Sequence, residues 1–161
     1  MAGILITGSA DGLGQLVAKA LAEQGHRVVL HARNAERGRH ARHNVPGAEH
    51  VIVGDLSDID ETKNVADAAN AWGRFDAVIH NAGLYQAPAR AVFMVNTIAP
   101  YLLTCLVQKP KRLIYLSSSM HQQGRATLQN INTEMSRITY SAVSYTHLRA
   151  HQNILDLVCR I

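Results

Sequence analysis

Gly3-Ile4-Leu5-Ile6-Thr7-Gly8-Ser9-Ala10-Asp11-Gly12-Leu13-Gly14-Gln15-Leu16-Val17, near the start of the chain, is the segment around which the rest is organised. A short apolar strand runs into a glycine-rich turn, and the turn opens a helix. Leu13, Leu16, Val17, Ala20 and Leu21 recur at helical spacing and predict one apolar face. Gly25 stops that helix, and Val28-Val29-Leu30 begins a second apolar strand. A strand that turns through glycines into a helix N-terminus makes an anion site, because unpaired N–H groups and the positive end of the helix dipole converge there. Glycines also let the backbone approach a pyrophosphate and let the helix lie close to the strand.

Composition bounds what surrounds this turn. A chain of 161 residues suits one domain with a real core, and 47% hydrophobic residues suit a globular protein. No run reads as long enough to cross a bilayer, and the first strand starts almost at Met1 with no basic segment before it, so neither a membrane partner nor a signal peptide is expected. Cys105 and Cys159 are isolated and lack metal spacing, which predicts thiols in a reducing, cytoplasmic compartment and no metal site. The net charge of +4 raises nucleic-acid binding as a question. The arginines are dispersed, however, and only His31 to His43 is locally basic, so a solvated helix face or a phosphate pocket is expected instead of a nucleic-acid surface.

Thr7-Gly8-x-x-x-Gly12-x-Gly14 differs from the commoner G-x-G-x-x-G spacing and resembles the T-G-x-x-x-G-x-G turn of the short-chain dehydrogenase/reductase family. The resemblance implies a dinucleotide site that includes Thr7, Gly8, Ser9, Asp11, Gly12, Leu13 and Gly14. Roughly twenty residues after such a turn an acid holds the ribose 2′-hydroxyl of NAD. Here Ala32 takes that place and Arg33 follows. A guanidinium fork pairs with a 2′-phosphate, which favours NADP over NAD as cofactor. The alternative is that Arg33 opens a solvated basic helix with Arg37, Arg39 and Arg42.

Further along, Val45-Pro46-Gly47 reads as a turn and His50 to Val53 as a strand. The resemblance implies that Asp55 and Leu56, which follow that strand, lie against the adenine ring. Alternatively Asp55 is a loop aspartate capping the next helix, a role for which Ser57 with Asp60 competes as a capping box. Ile59 to Trp72 reads as a helix and Phe75 to His80 as a strand. Asn81-Ala82-Gly83 then resembles the family's N-A-G motif, placed beside the cofactor. Ala91 to Gln108 should be a buried helix, and Pro100 inside it predicts a kink that frees the carbonyl of Asn96. In the resembled family an Asn at this place kinks the helix and orders a relay water through its carbonyl.

Arg112 to Leu116 reads as the last strand, ending in Ser117-Ser118-Ser119. The resemblance assigns the catalytic serine to Ser118 and the catalytic tyrosine to Tyr140, within Ile138-Thr139-Tyr140-Ser141-Ala142. The family's Y-x-x-x-K pattern calls for a lysine at 144, where this chain has Ser144. From Val143 onwards the sequence resembles translated sequencing-adapter read-through, so residues 1–142 are expected to be the native, dinucleotide-binding part and 143–161 a foreign tail. A variant pairing of Tyr145 with Arg149 is the alternative, and an arginine fork is a poor substitute for an ammonium.

The alternation of strands and helices predicts an α/β, three-layer, doubly wound parallel sheet, the Rossmann fold, lacking the last strands the family has. The implied function is NADP-dependent hydride transfer between a nicotinamide and a small alcohol or carbonyl substrate, in a parent protein that is a homo-oligomer, with this chain itself inactive. The reading from a different class is a non-catalytic NAD(P)-binding module, such as a redox sensor or scaffold subunit.

Overall fold

The computed structural model describes residues 1–117. The strands are β1 (Gly3–Ile6), β2 (Arg27–Ala32), β3 (His50–Val53), β4 (Ala77–His80) and β5 (Arg112–Tyr115). Between them lie α1 (Gly12–Glu23), α2 (Ala35–Asn44) and α3 (Ile59–Trp72), then one long helix in three parts: α4 (Ala89–Phe93), a π-helical turn (Met94–Ile98) and α5 (Ala99–Leu106). All strand pairs are parallel, in the order β3-β2-β1-β4-β5. The chain builds outward from β1 on one side and then resumes on the other. The order therefore reverses between β1 and β4, where the carboxyl ends of open α/β sheets leave a crevice for ligands.

The inner strands β1, β2 and β4 are short, nearly continuous apolar runs because both of their faces are covered, whereas β3 and β5 at the two sides carry exposed positions. Alternation divides their side chains. Ile4, Ile6, Val28 and Leu30 pack with Ala18 of α1 and Ala41 of α2. Leu5, Val29, Ile52 and Val78 pack on the other side with Val65, Ala66 and Ala69 of α3 and with Ala99 and Leu103 of α5. This is the expected three-layer arrangement. At the amino end of the sheet Asp76 accepts the Gly3 N–H at 2.8 Å and pairs with Lys111 at 2.6 Å, and Lys111 holds its carboxyl below the usual range.

Three expectations are corrected. The predicted apolar face of α1 is rotated: Gly14 and Ala18 are buried, Val17 and Leu21 half-buried, and Leu13 and Leu16 are 60% and 66% exposed. Small residues win the sheet-facing positions because they let the helix sit close to β1. Helix α3 is capped by neither Asp55 nor Ser57; Asp58 accepts the Asp60 and Glu61 N–H groups, each at 2.9 Å. Finally, Ala89–Leu106 has the length and composition of a membrane span, 18 residues with mean hydropathy 1.4. Val92, Val95, Ala99 and Leu103 bury its inner side in the domain core, which accounts for that apolarity.

The kink anticipated ahead of Pro100 takes the form of the π turn, in which the Ala99 N–H reaches back to the Met94 carbonyl. A proline N–H is missing and its ring crowds the preceding turn, so widening that turn is one way the helix accommodates it.

Candidate functional site

The carboxyl ends of the strands open into a cavity of about 720 Å³. Its walls include Gly8, Asp11, Gly12, Leu13 and Gly14 from the first turn, and Ala32 and Arg33 after β2. Asp55 and Leu56 after β3 and Asn81, Ala82 and Gly83 after β4 complete it. Apart from Thr7 and Ser9, every residue expected to bind cofactor reaches this one space.

Thr7 and Ser9 stand behind the wall, 1% and 0% exposed. The Thr7 hydroxyl oxygen accepts the N–H groups of Asn81 and Ala82, each at 3.0 Å, and donates to the Ile79 carbonyl at 3.4 Å. The Asn81 amide returns two bonds, donating to the Thr7 and Gly8 carbonyls at 2.9 and 3.0 Å. Two motifs far apart in sequence thus form one backbone lattice across the β1–β4 crevice. The lattice leaves no room for side chains at two glycines. A Cβ on Gly8 would lie 2.7 Å from the Ala82 Cα, at a φ of +62° that L side chains resist, and one on Gly14 would lie 2.6 Å from the Gly8 carbonyl oxygen.

Asp11 is the N-cap of α1, yet its side chain makes no capping bond. It is ion-paired with Arg37 instead. The first-turn amides of α1 therefore face the cavity without a side-chain acceptor, which is the arrangement that receives anions. Arg33 and Arg37 both line the adjoining wall. The sequence marks Arg37 only as part of a basic helix. Asn34 caps α2 by accepting the Arg37 N–H at 2.9 Å, which starts the helix at the cavity's edge.

Asp55 Oδ1 is engaged locally, accepting the Ser57 N–H and hydroxyl, each at 2.8 Å. Its backbone N–H donates to Glu61 at 2.6 Å. Asn96, in the π turn, stands behind the far wall and does not line the cavity itself; it clamps the loop after Gly83, Oδ1 accepting the Leu84 N–H at 2.8 Å and Nδ2 donating to the Leu84 carbonyl at 2.9 Å. The Asn96 side chain is thereby committed to the loop, so only its backbone carbonyl could serve the relay that the resemblance implies. Gln86, Ala87, Pro88 and Ala91, which also line the cavity, carried no signal in sequence. Ser118, Tyr140, Ser144, Tyr145, Arg149, Cys159 and the tail from Val143 lie outside the described residues. Among the described residues no cluster of metal-ligating side chains occurs.

The site fits a dinucleotide on its own chemistry: a turn whose Gly8 and Gly14 have no room for a Cβ, an uncapped helix N-terminus for a pyrophosphate, and cationic side chains beyond it.

Comparison with known proteins agrees. The short chain dehydrogenase family profile matches residues 2–109. The chain is 56% identical to the uncharacterized oxidoreductase AN7799 of Emericella nidulans, over 84% of this chain and 58% of that protein. It is 46% identical to the short-chain dehydrogenase chyC of Penicillium rubens, over 81% of this chain and 54% of that protein. It thus spans little more than half the length of these relatives. Among solved structures, a metagenomic short-chain oxidoreductase in complex with NADP superposes with a TM-score of 0.76 at 24% identity, covering 99% of this chain and 77% of that one. Motifs, topology and relatives agree that the chain belongs to the short-chain dehydrogenase family.

Proposed function

We propose that the chain is the dinucleotide-binding part of an NADP-dependent oxidoreductase acting on a small alcohol or its carbonyl counterpart. The observation that carries this reading is the convergence of the glycine turn, the Asn81-Ala82-Gly83 segment and the Asn96-clamped loop on one cavity at the point where strand order reverses. When bound, the nicotinamide supplies hydride chemistry.

The chain's own residues bind and orient. The Gly8 turn and the α1 amides receive the pyrophosphate, and Arg33 with Arg37 meets a 2′-phosphate where an acid would repel it. Asn96 holds the loop that forms the far wall. Tyr140 is the acid/base at the substrate oxygen, and Ser118 hydrogen-bonds that same oxygen. A tyrosine of ordinary pKa near 10 is only about 0.1% ionised at neutral pH, so a neighbouring ammonium is needed to pull it down. Ser144 carries no charge.

Losing a tuned acid/base costs about 10² to 10⁴ in rate, so the 161-residue chain should show no NADPH-dependent carbonyl reduction. Replacing everything after Ala142 with a native continuation should restore it, whereas Ser144→Lys alone should not. The test is loss of NADPH absorbance against a panel of ketones and aldehydes. Turnover by the unaltered chain, abolished by Tyr145→Phe but not by Tyr140→Phe, would overturn the assignment of the tyrosine. The serine at 144 favours a second reading, a dinucleotide-binding module without catalysis. Absence of turnover from the restored chain, with cofactor still bound, would decide for it.

A further inference from the structure

His31 lines the same cavity at the end of β2, is only 3% exposed, and has no task in the proposed chemistry. Its ring is bonded at both nitrogens. Nδ1 accepts the Gly8 N–H at 3.0 Å, and Nε2 lies 3.0 Å from the Gly54 carbonyl oxygen. The two bonds together fix the tautomer. A carbonyl can only accept, so the proton sits on Nε2; a nitrogen that accepts from an amide cannot carry a second proton. The backbone adds two more ties: the His31 N–H donates to Ser9 Oγ at 2.9 Å, and the Ser9 N–H donates to the His31 carbonyl at 3.1 Å.

One residue therefore joins the glycine turn after β1 to the loop after β3. The Gly8 bond matters most. It turns the amide of a residue at φ +62° onto the ring. Protonating Nδ1 would set an N–H against that N–H and break the tie. The glycine turn meets the ring through the Gly8 N–H, its Ser9 hydroxyl bonding the His31 backbone instead, and Asp55 is the charged group acting on the ring from the β3 side. Burial outweighs the Gly54 carbonyl and Asp55, lowering the ring to about 4, so it stays neutral in ordinary buffers.

We propose that His31 is the positioning residue of the glycine turn, holding Gly8 and Gly54 in the dinucleotide-receiving geometry through a neutral ring and releasing the turn when that ring is protonated. The inference rests on the reading that this cavity takes a dinucleotide. It differs from the role of Arg33 in one respect: a pyrophosphate turn is shared by NADPH and NADH, so loss of His31 must weaken both alike.

The test uses the full chain and three substitutions. His31→Leu removes both ring bonds. His31→Asn keeps an acceptor near the place of Nδ1, and His31→Gln keeps a donor near the place of Nε2. Fluorescence titration should show His31→Leu weakening NADPH and NADH equally, by about tenfold or more, with far-UV circular dichroism unchanged. His31→Asn should recover most of the affinity and His31→Gln less.

Two further readouts need no cofactor. Imidazole nitrogen NMR should show the neutral Nε2–H form throughout the range of about pH 5–8 in which an ordinary histidine titrates. The Gly8 amide should exchange slowly in the parent chain and quickly in His31→Leu. A folded His31→Leu that binds both dinucleotides like the parent would overturn the proposal, as would Asn no better than Leu, or a ring titrating at its ordinary value. If the parent chain binds neither dinucleotide, the proposed function fails. The NMR readouts then decide separately: a protected Gly8 amide beside a neutral ring upholds the role of His31 in shaping the turn, and an unprotected one refutes it.

Discussion

Arg33 and Arg37 show how much one residue can decide here. Both line the cavity beside Ala32, and a carboxylate at 32 would have favoured a ribose hydroxyl over a phosphate. Arg33→Ala should weaken NADPH by roughly 1.5–3 kcal/mol, the range of a charge-assisted hydrogen bond, and leave NADH nearly unchanged. Fluorescence titration of the two cofactors checks this, and equal losses for both would contradict it. His31 gives a pH dependence of stability. Its folded value is lowered from 6.5 to about 4, so the unfolded chain binds the extra proton first. The contribution is intact above the unfolded value, shrinks as pH falls through this window, and by linkage amounts to about 3 kcal/mol once fully lost. Urea midpoints for the parent and His31→Leu should therefore converge on acidification from neutral pH to pH about 4. A constant gap would count against the buried, neutral ring. Arg33, Asp55 and the glycines were legible because motif spacing marks them. Neither His31 nor Arg37 was, since a histidine ending an apolar strand and an arginine in a basic helix look ordinary until the fold brings Gly8, Gly54 and Asp11 to them.

The elements themselves were largely readable. Apolar runs after Gly25 and Gly47 located β2 and β3, the run Phe75 to His80 located β4 with its start two residues early, and Pro100 located the irregular turn in the long helix. What periodicity missed was which face of α1 is buried. Leucine counts pointed one way, and the close approach of Gly14 to the Asn81–Gly8 lattice decided otherwise. Sequence also gave β5 as the end of the sheet, and it is the outer strand among the described residues. Ile114 and Leu116 there are each 40% exposed. An apolar outer strand pairs with other chains, so the 161-residue protein should elute from size exclusion above its monomer size. Ile114→Lys should shift it towards monomer. A parent chain that is already a clean monomer would contradict this.

At the scale of the whole molecule, alternating strands and helices announced a parallel sheet, but no local pattern states the order of its strands. The resemblance implied a doubly wound sheet, and the order β3-β2-β1-β4-β5 is what the structure adds to it. It matters for function because it sets Thr7 against Asn81 across the crevice and so makes one site of two motifs. In the proposed function this crevice receives NADP. Titrating the purified chain with NADPH and with NADH, following cofactor fluorescence, tests it most directly. Saturable binding of both, with NADPH the tighter, is the predicted result; no saturable binding, or tighter binding of NADH, would contradict it.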